Sequence, residues 1–263
     1  MTWRQIAKRW LYRSAPGFSG AFPYFGAKVF FPPDSMIFRR ACAEGIYEAK
    51  LLHMLLTLIR PGTTYLDIGA NIGLMSVPVL AEIPDARVLS FEPSPANLPY
   101  LLRTFESSAF QSRWRIITKA VSDHCGESEF YTSSANGGAM DGFRDTGRGV
   151  SPKKLSVSST TVDQVWGEHG RPRISCMKID VEGGELGVLR GAERCLEAES
   201  PSVLLEWNAT NLAAYHCDPE ALLAFARAHD QDLVSCVHFT VISSGSMLRL
   251  AMRTCENFLL LPR

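Results

Sequence analysis

Two stretches of this 263-residue chain concentrate side chains that can do chemistry. The first reads Tyr65-Leu66-Asp67-Ile68-Gly69-Ala70-Asn71-Ile72-Gly73. An apolar strand that turns through glycines into a helix gathers free backbone N–H groups, which suits a nucleotide or a carboxylate. A dinucleotide fingerprint needs glycine at its first, third and sixth positions. Here Asn71 and Leu74 stand where the second and third glycines belong. The spacing that is met, Asp67, Gly69 and Gly73, suits S-adenosylmethionine: Asp67 or nearby carbonyls can meet its ammonium, and the loop N–H groups its carboxylate. The plainer reading is a strand–helix turn that uses glycine for positive φ.

Further acids stand at the expected strand ends. Glu92, in Phe91-Glu92-Pro93, lies 19 residues after Gly73, where a carboxylate can accept both ribose hydroxyls. A solvated charge or a helix-cap partner is its ordinary alternative. Ala120-Val121-Ser122-Asp123 ends a third strand, and Asp123 can accept from an adenine amino group or simply make a turn.

The second stretch is Met177-Lys178-Ile179-Asp180-Val181-Glu182-Gly183-Gly184-Glu185. Lys178 and Asp180 are two apart, so they share a strand face. A buried lysine requires a carboxylate neighbour; a purely structural ion pair satisfies that too. Glu185 reads as a first-turn acid. Glu206, in Leu205-Glu206-Trp207-Asn208, ends the next apolar run. Asp180 and Glu206 can face a substrate hydroxyl, or share a divalent cation with Asn208. Two acids and an amide are not a specific metal signature, so no metal site is assigned. His216 and His238 read as ordinary histidines.

The elements that must position these residues alternate. Strands are expected at 27–31, 64–68, 87–91, 115–121, 174–180, 203–206, 232–237 and 258–261, and helices at 44–60, 72–82, 184–197 and 219–229. Ser94 and Pro95 start a helix running to about 105, and 161–166 is a short one. This alternation predicts an α/β fold with a mostly parallel sheet covered on both faces. Residues 127–131 and 155–159 pair as a hairpin around a Gly/Ser/Asp-rich loop, 132–152, long enough to be functional or disordered. Phe143, Arg144 and Arg148 in that loop can cover a polar or anionic acceptor.

These residues together resemble the FkbM family of S-adenosylmethionine-dependent methyltransferases. The carriers are Asp67–Gly73, Phe91–Pro93, Lys178–Glu185 and Leu205–Trp207, with 45–48 and 160–163 also similar. The resemblance spans about 45–208, and 257–262 is similar to the family's last strand. It implies a Rossmann-like class I methyltransferase fold: a seven-stranded, mostly parallel sheet with helices on both faces and an antiparallel last strand. It implies O-methylation of a sugar, glycan or natural-product hydroxyl. Cofactor-binding positions are then Glu48, Asp67, Gly69, Ala70, Asn71, Gly73, Glu92, Pro93, Ala120, Ser122, Asp123 and Asp180. Candidate catalytic residues are Asp180 first, then Glu206 and Glu182, with Lys178 holding or tuning Asp180. A non-catalytic S-adenosylmethionine-binding module and an N-methyltransferase stay open as alternatives.

Composition bounds the rest. Hydrophobic residues make up 46% and charged residues 21%, which excludes a disordered chain. Lys plus Arg equals Asp plus Glu at 27 each, so a nucleic-acid-binding surface is not indicated. Residues 1–40 hold seven cations and one acid, a charge of +6 that the remainder balances. Residues 1–13 form a basic amphipathic pattern too short for stable membrane anchoring, and read first as a packed helix or lid. The domain expectation is an extension at 1–44, a lid or substrate cap, then a methyltransferase domain at 45–263 with an insertion at 124–160. Seven cysteines with no CxxC suggest neither zinc nor a disulfide framework, but reduced, buried thiols in a cytoplasmic protein.

Overall fold

The computed structural model describes residues 19–132, 140–147 and 152–263. The expectations for residues 1–13, and for most of the 132–152 loop including Arg148, lie outside the described residues. The strands are β1 (Gly20–Tyr24), β2 (Ala27–Phe31), β3 (Thr64–Ile68), β4 (Arg87–Phe91), β5 (Trp114–Ile117), β6 (Ala120–Val121), β7 (Gly126–Thr132), β8 (Lys153–Thr160), β9 (Ile174–Ile179), β10 (Ser202–Glu206), β11 (Gln231–Ser235) and β12 (Asn257–Pro262). The helices are α1 (Met36–Glu44), α2 (Ala49–Leu58), α3 (Ser76–Glu82), α4 (Leu98–Ser107), α5 (Val162–Glu168), α6 (Glu185–Arg190), α7 (Glu193–Glu199), α8 (Ala209–Ala214), α9 (Ala221–Ala228) and α10 (Gly245–Ala251).

Seven strands form one sheet in the order β11-β12-β10-β9-β3-β4-β5. The pairs β10–β9, β9–β3, β3–β4 and β4–β5 are parallel, while β12 runs antiparallel between β10 and β11. The expected Rossmann-like arrangement is therefore present. Central β3 and β9 are buried at every position, which is why both read as continuous runs rather than alternations. Four helices begin where a short polar side chain satisfies a free N–H group: Ser35, Thr161, Asn208 and Ser244 cap α1, α5, α8 and α10.

Some boundaries differ from expectation. The run at 115–121 divides: β5 joins the main sheet, and β6 leaves it to pair with β8. The expected hairpin forms, with Glu127 opposite Ser158 and Tyr131 opposite Lys154, one residue off an end-to-end match of 127–131 with 155–159. The helix expected at 44–60 begins only at Ala49, as α2; Glu44 instead ends a separate helix, α1, which Gly45 closes with a φ of 85°. Helix 184–197 is two helices, α6 and α7. The helix after Ser94 starts at Leu98, so Ser94 caps a preceding turn through Ala96 N–H at 3.2 Å. β1, α1, α8 and α10 have no sequence-based counterpart.

Residues 20–44 are not peripheral. Val29, Phe31, Phe38 and Ala41 are buried in one cluster with Leu55, Ile72, Leu101 and Trp114. Phe31 and Phe38 stack at 3.6 Å between ring centroids. All seven cysteines are free; Cys176, Cys195 and Cys255 are buried, but Cys125 is exposed, correcting the expectation of uniformly buried thiols. No helix among the described residues is long and apolar enough to cross a membrane.

Candidate active site

The carboxyl ends of β3, β4, β9 and β10 open onto one pocket. Parallel strands place their ligand crevice at this edge. The turn after β3 makes its floor. Gly69 has φ 83°, and its α-carbon lies against the Asp180 carbonyl, so any side chain there would collide with backbone. The N–H groups of Gly69 and Ala70 both donate to Phe91 O at 3.0 Å, tying the loop to β4. Asn71 follows in the left-handed region at φ 51°.

Glu92 sits at the end of β4, 4% exposed, and lines the pocket. Its Oε2 accepts from Asn71 N–H at 2.7 Å and its Oε1 from Ser94 N–H at 2.8 Å. Burial raises the Glu92 carboxyl to about 7; the two backbone donors oppose that, and the Asp141 charge adds to it. The Asn97 side chain donates to Glu92 as well, which leaves one of the carboxylate's about four acceptor positions for a ligand.

Glu48, Ala70, Asn71, Pro93, Ala120, Lys178, Asp180, Glu182 and Glu206 also line the pocket. Lys178 is 6% exposed and donates to Asp180 Oδ2 at 3.0 Å. Burial pulls the ammonium down, but Asp180, Asp67 and Glu48 outweigh it, holding Lys178 above its ordinary value. Burial raises the Glu48 carboxyl, and the Asp180 charge adds to the effect. Asp180, Glu182 and Glu206 present ligand oxygens all within 4.8 Å of one another. Asn211, 2% exposed, donates from Nδ2 to Glu182 Oε2 at 3.0 Å and to Glu206 Oε2 at 3.1 Å. Asn208, the third expected cation partner, instead turns Oδ1 to Asn211 N–H as the cap of α8. Exposed acidic groupings are common without a cation, and this one receives no metal assignment.

Four expected cofactor residues stand elsewhere. Asp67 is fully buried beneath the loop, off the pocket lining, and accepts from Ser76 Oγ at 2.5 Å. Ser76 Oγ lies 2.7 Å from Ser90 Oγ, which accepts from Trp114 Nε1 at 2.7 Å. Asp67 therefore anchors β3 to α3 and β5 rather than meeting a ligand ammonium. Gly73 packs against Leu101 and Trp114, with φ 91°. Ser122 and Asp123 line a separate groove with Arg144, Arg190 and His216. Asp123 is engaged there by His124 Nδ1 at 2.8 Å, because the chain leaves the sheet at β6. Arg144 thus faces that groove, not the main pocket, while Phe143 touches both.

Sequence reasoning missed part of the lining. Met36, Ile37 and Arg40 arrive from α1, and Tyr47 from the turn before α2. Burial raises the Tyr47 hydroxyl, with the Glu48 and Asp180 charges adding to it. Met140, Asp141 and Gly142 come from the insertion. Low-complexity composition hid those three, and Asn211 carried no signal at all.

The methyltransferase FkbM domain family matches residues 67–231. The chain belongs to the FkbM methyltransferase family. It is 28% identical over 175 residues to the 2-O-methyltransferase NoeI of Sinorhizobium fredii, covering 60% of this chain and 70% of that one. It is also 28% identical over 166 residues to the 31-O-demethyl-FK506 methyltransferase FkbM of Streptomyces tacrolimicus, covering 51% of this chain and 61% of that one. The fold is similar to the crystal structure of methyltransferase FkbM from Methylobacillus flagellatus, with a TM-score of 0.50 and 18% identity. That match covers 80% of this chain and 47% of the other. The protein is thus an FkbM-family methyltransferase, with the family's loop and acid blocks brought into one pocket.

Proposed function

We propose that the protein transfers a methyl group from S-adenosylmethionine to a hydroxyl of a sugar, glycan or other natural-product acceptor. The observation that carries this reading is the carboxylate group Asp180, Glu182 and Glu206, within 4.8 Å at the ends of β9 and β10, in the pocket of the glycine loop. The cradle at Gly69 and the spare acceptor capacity of Glu92 fit the cofactor. Glu48, Gly69, Ala70, Asn71, Glu92, Pro93, Ala120 and Asp180 would hold it. When bound, it supplies an electrophilic methyl on a sulfonium.

The protein's part is position and proton acceptance. Asp180 is the first candidate to receive the acceptor's hydroxyl proton or to orient that hydroxyl, with Lys178 fixing its carboxylate. Glu206 is the second and Glu182 the third, both steered by Asn211. The names of the two relatives, a 2-O-methyltransferase and a 31-O-demethyl-FK506 methyltransferase, support a hydroxyl acceptor. Met36, Ile37 and Arg40 support a part for the 1–44 extension in shaping the acceptor end.

Calorimetric titration with S-adenosylmethionine is the first test, with Glu92→Ala as the control that loses binding. In an acceptor screen begun on sugars and polyketide alcohols, Asp180→Ala and Glu206→Ala lower turnover by ~100-fold or more, a typical general-base loss. The cofactor affinity of Glu206→Ala, which removes none of the cofactor-holding residues, stays close to that of the parent. Unchanged turnover in both variants removes the assignment.

A further inference from the structure

One wall of the pocket belongs to no family motif. Residues 140–143 line it, and their contacts reach β7, the turn after β9 and the turn after β4. Gly142 exchanges two backbone hydrogen bonds with Tyr131 on β7, at 2.7 and 3.1 Å. The Phe143 ring meets Phe130 edge-on at 6.0 Å. Gly142 also presses on the acceptor end: a Cβ there would stand 3.2 Å from Glu182 Cβ. Asp141 Oδ2 accepts from Ser94 Oγ at 2.5 Å. Ser94 is therefore a junction. Its N–H serves Glu92, the carboxylate read as ribose-binding, and its hydroxyl serves the 140–143 segment.

We infer that Asp141 is a positioning residue for the cofactor: through Ser94 it latches the 140–143 segment against the nucleoside side of the pocket. The inference rests on the S-adenosylmethionine reading above. The bond to the Asp141 carboxylate is charge-assisted and so among the stronger single links of this wall, and its loss shifts the wall's position. Asp141 acts here through Ser94 and the segment. Its carboxylate is a better acceptor for a hydroxyl than a neutral group would be, and an asparagine amide oxygen can replace it in kind.

The test uses the full chain and S-adenosylhomocysteine, with affinity read by calorimetry and release by stopped flow, so no acceptor is needed. Asp141→Ala weakens binding about tenfold and speeds release correspondingly, the change expected from one lost charged hydrogen bond. Ser94→Ala does the same; because it also removes the acceptor of Ala96 N–H, its melting temperature is recorded alongside. The double variant is no weaker than the poorer single variant, since both remove one link. Asp141→Asn recovers most of the affinity. Parent-like binding in both alanine variants, additive losses in the double variant, or an asparagine variant as weak as alanine each overturns the latch while leaving the cofactor reading intact. A folded parent protein that binds neither S-adenosylmethionine nor S-adenosylhomocysteine overturns both.

Discussion

Glu92 and Glu185 are buried carboxyls raised to about 7, in each case chiefly by burial. Glu185 accepts from Gly183 N–H at 3.0 Å and Val181 N–H at 3.2 Å, so it holds the turn that carries Glu182. A carboxyl whose folded value exceeds its unfolded one favours the fold fully below about 4.5, and that contribution is lost as pH rises to about 7. For each group the loss is at most about 3 kcal/mol. Glu185→Gln keeps an acceptor and cannot ionise, so its melting temperature should fall less than the parent's between pH 5 and pH 8. Parallel melting profiles would rule out this role for Glu185. At the same scale, cofactor affinity should drop as pH falls below about 7, because protonated Glu92 loses acceptor capacity. Calorimetry at pH 6 and pH 8 checks it, and Glu92→Gln should abolish the difference. Gly69→Ala is the steric counterpart: positive φ and the Asp180 carbonyl both oppose a Cβ. That variant should lose cofactor binding together with thermal stability.

At the scale of elements, the β7–β8 hairpin holds a small core of its own. Phe130, Val157 and Ala120 are buried there, with Leu155 and Phe143 packed against them. Phe130 is thus shared between the hairpin and the pocket wall. Phe130→Ala removes the largest member of that core, and large-to-small changes at buried aromatics cost about 3–5 kcal/mol. The damage should be local, since the main sheet is closed by other clusters. Amide exchange should accelerate across 126–132 and 153–160 while β3 and β9 stay protected. Uniform acceleration over both regions would show instead that the hairpin and the sheet unfold as one unit.

At the scale of the whole molecule, the extension and the catalytic sheet share a core. Val29, Phe31 and Phe38 pack with residues from α2, α3 and α4, and Phe30 N–H donates to Thr104 Oγ1 at 3.0 Å. A protein lacking residues 20–44 should therefore melt well below the intact chain and expose apolar surface, rather than behave as an enzyme missing only a cap. Dye binding and calorimetry on the truncated protein test this. A truncated protein with the parent's melting temperature would make the extension an independent appendage. The same packing brings Met36, Ile37 and Arg40 to the pocket, so the edges of the acceptor end depend on the whole fold.

Local order along the chain was enough to determine the alternation of β3, β4, β9 and β10 with helices, the presence of the β7–β8 hairpin, and the grouping of Glu92, Lys178, Asp180 and Glu206 at one sheet edge. Strand ends in a parallel sheet point one way, so residues at successive strand ends meet without further information. Only tertiary packing decided which acids face the pocket. Asp67 and Asp180 look alike in sequence, each two residues before or after a motif landmark. Yet Asp67 lies under the loop against Ser76, and Asp180 lies above it beside Lys178. Asp123 left the site because β6 departs from the main sheet to pair with β8, a long-range choice that no short window encodes. Asp141 entered because the hairpin insertion folds back to Ser94, 47 residues away in sequence, and Asn211 because α8 returns to Glu182, 29 residues away. Contacts of that separation depend on how apolar faces are jointly buried across the molecule, which periodicity and motif spacing do not record.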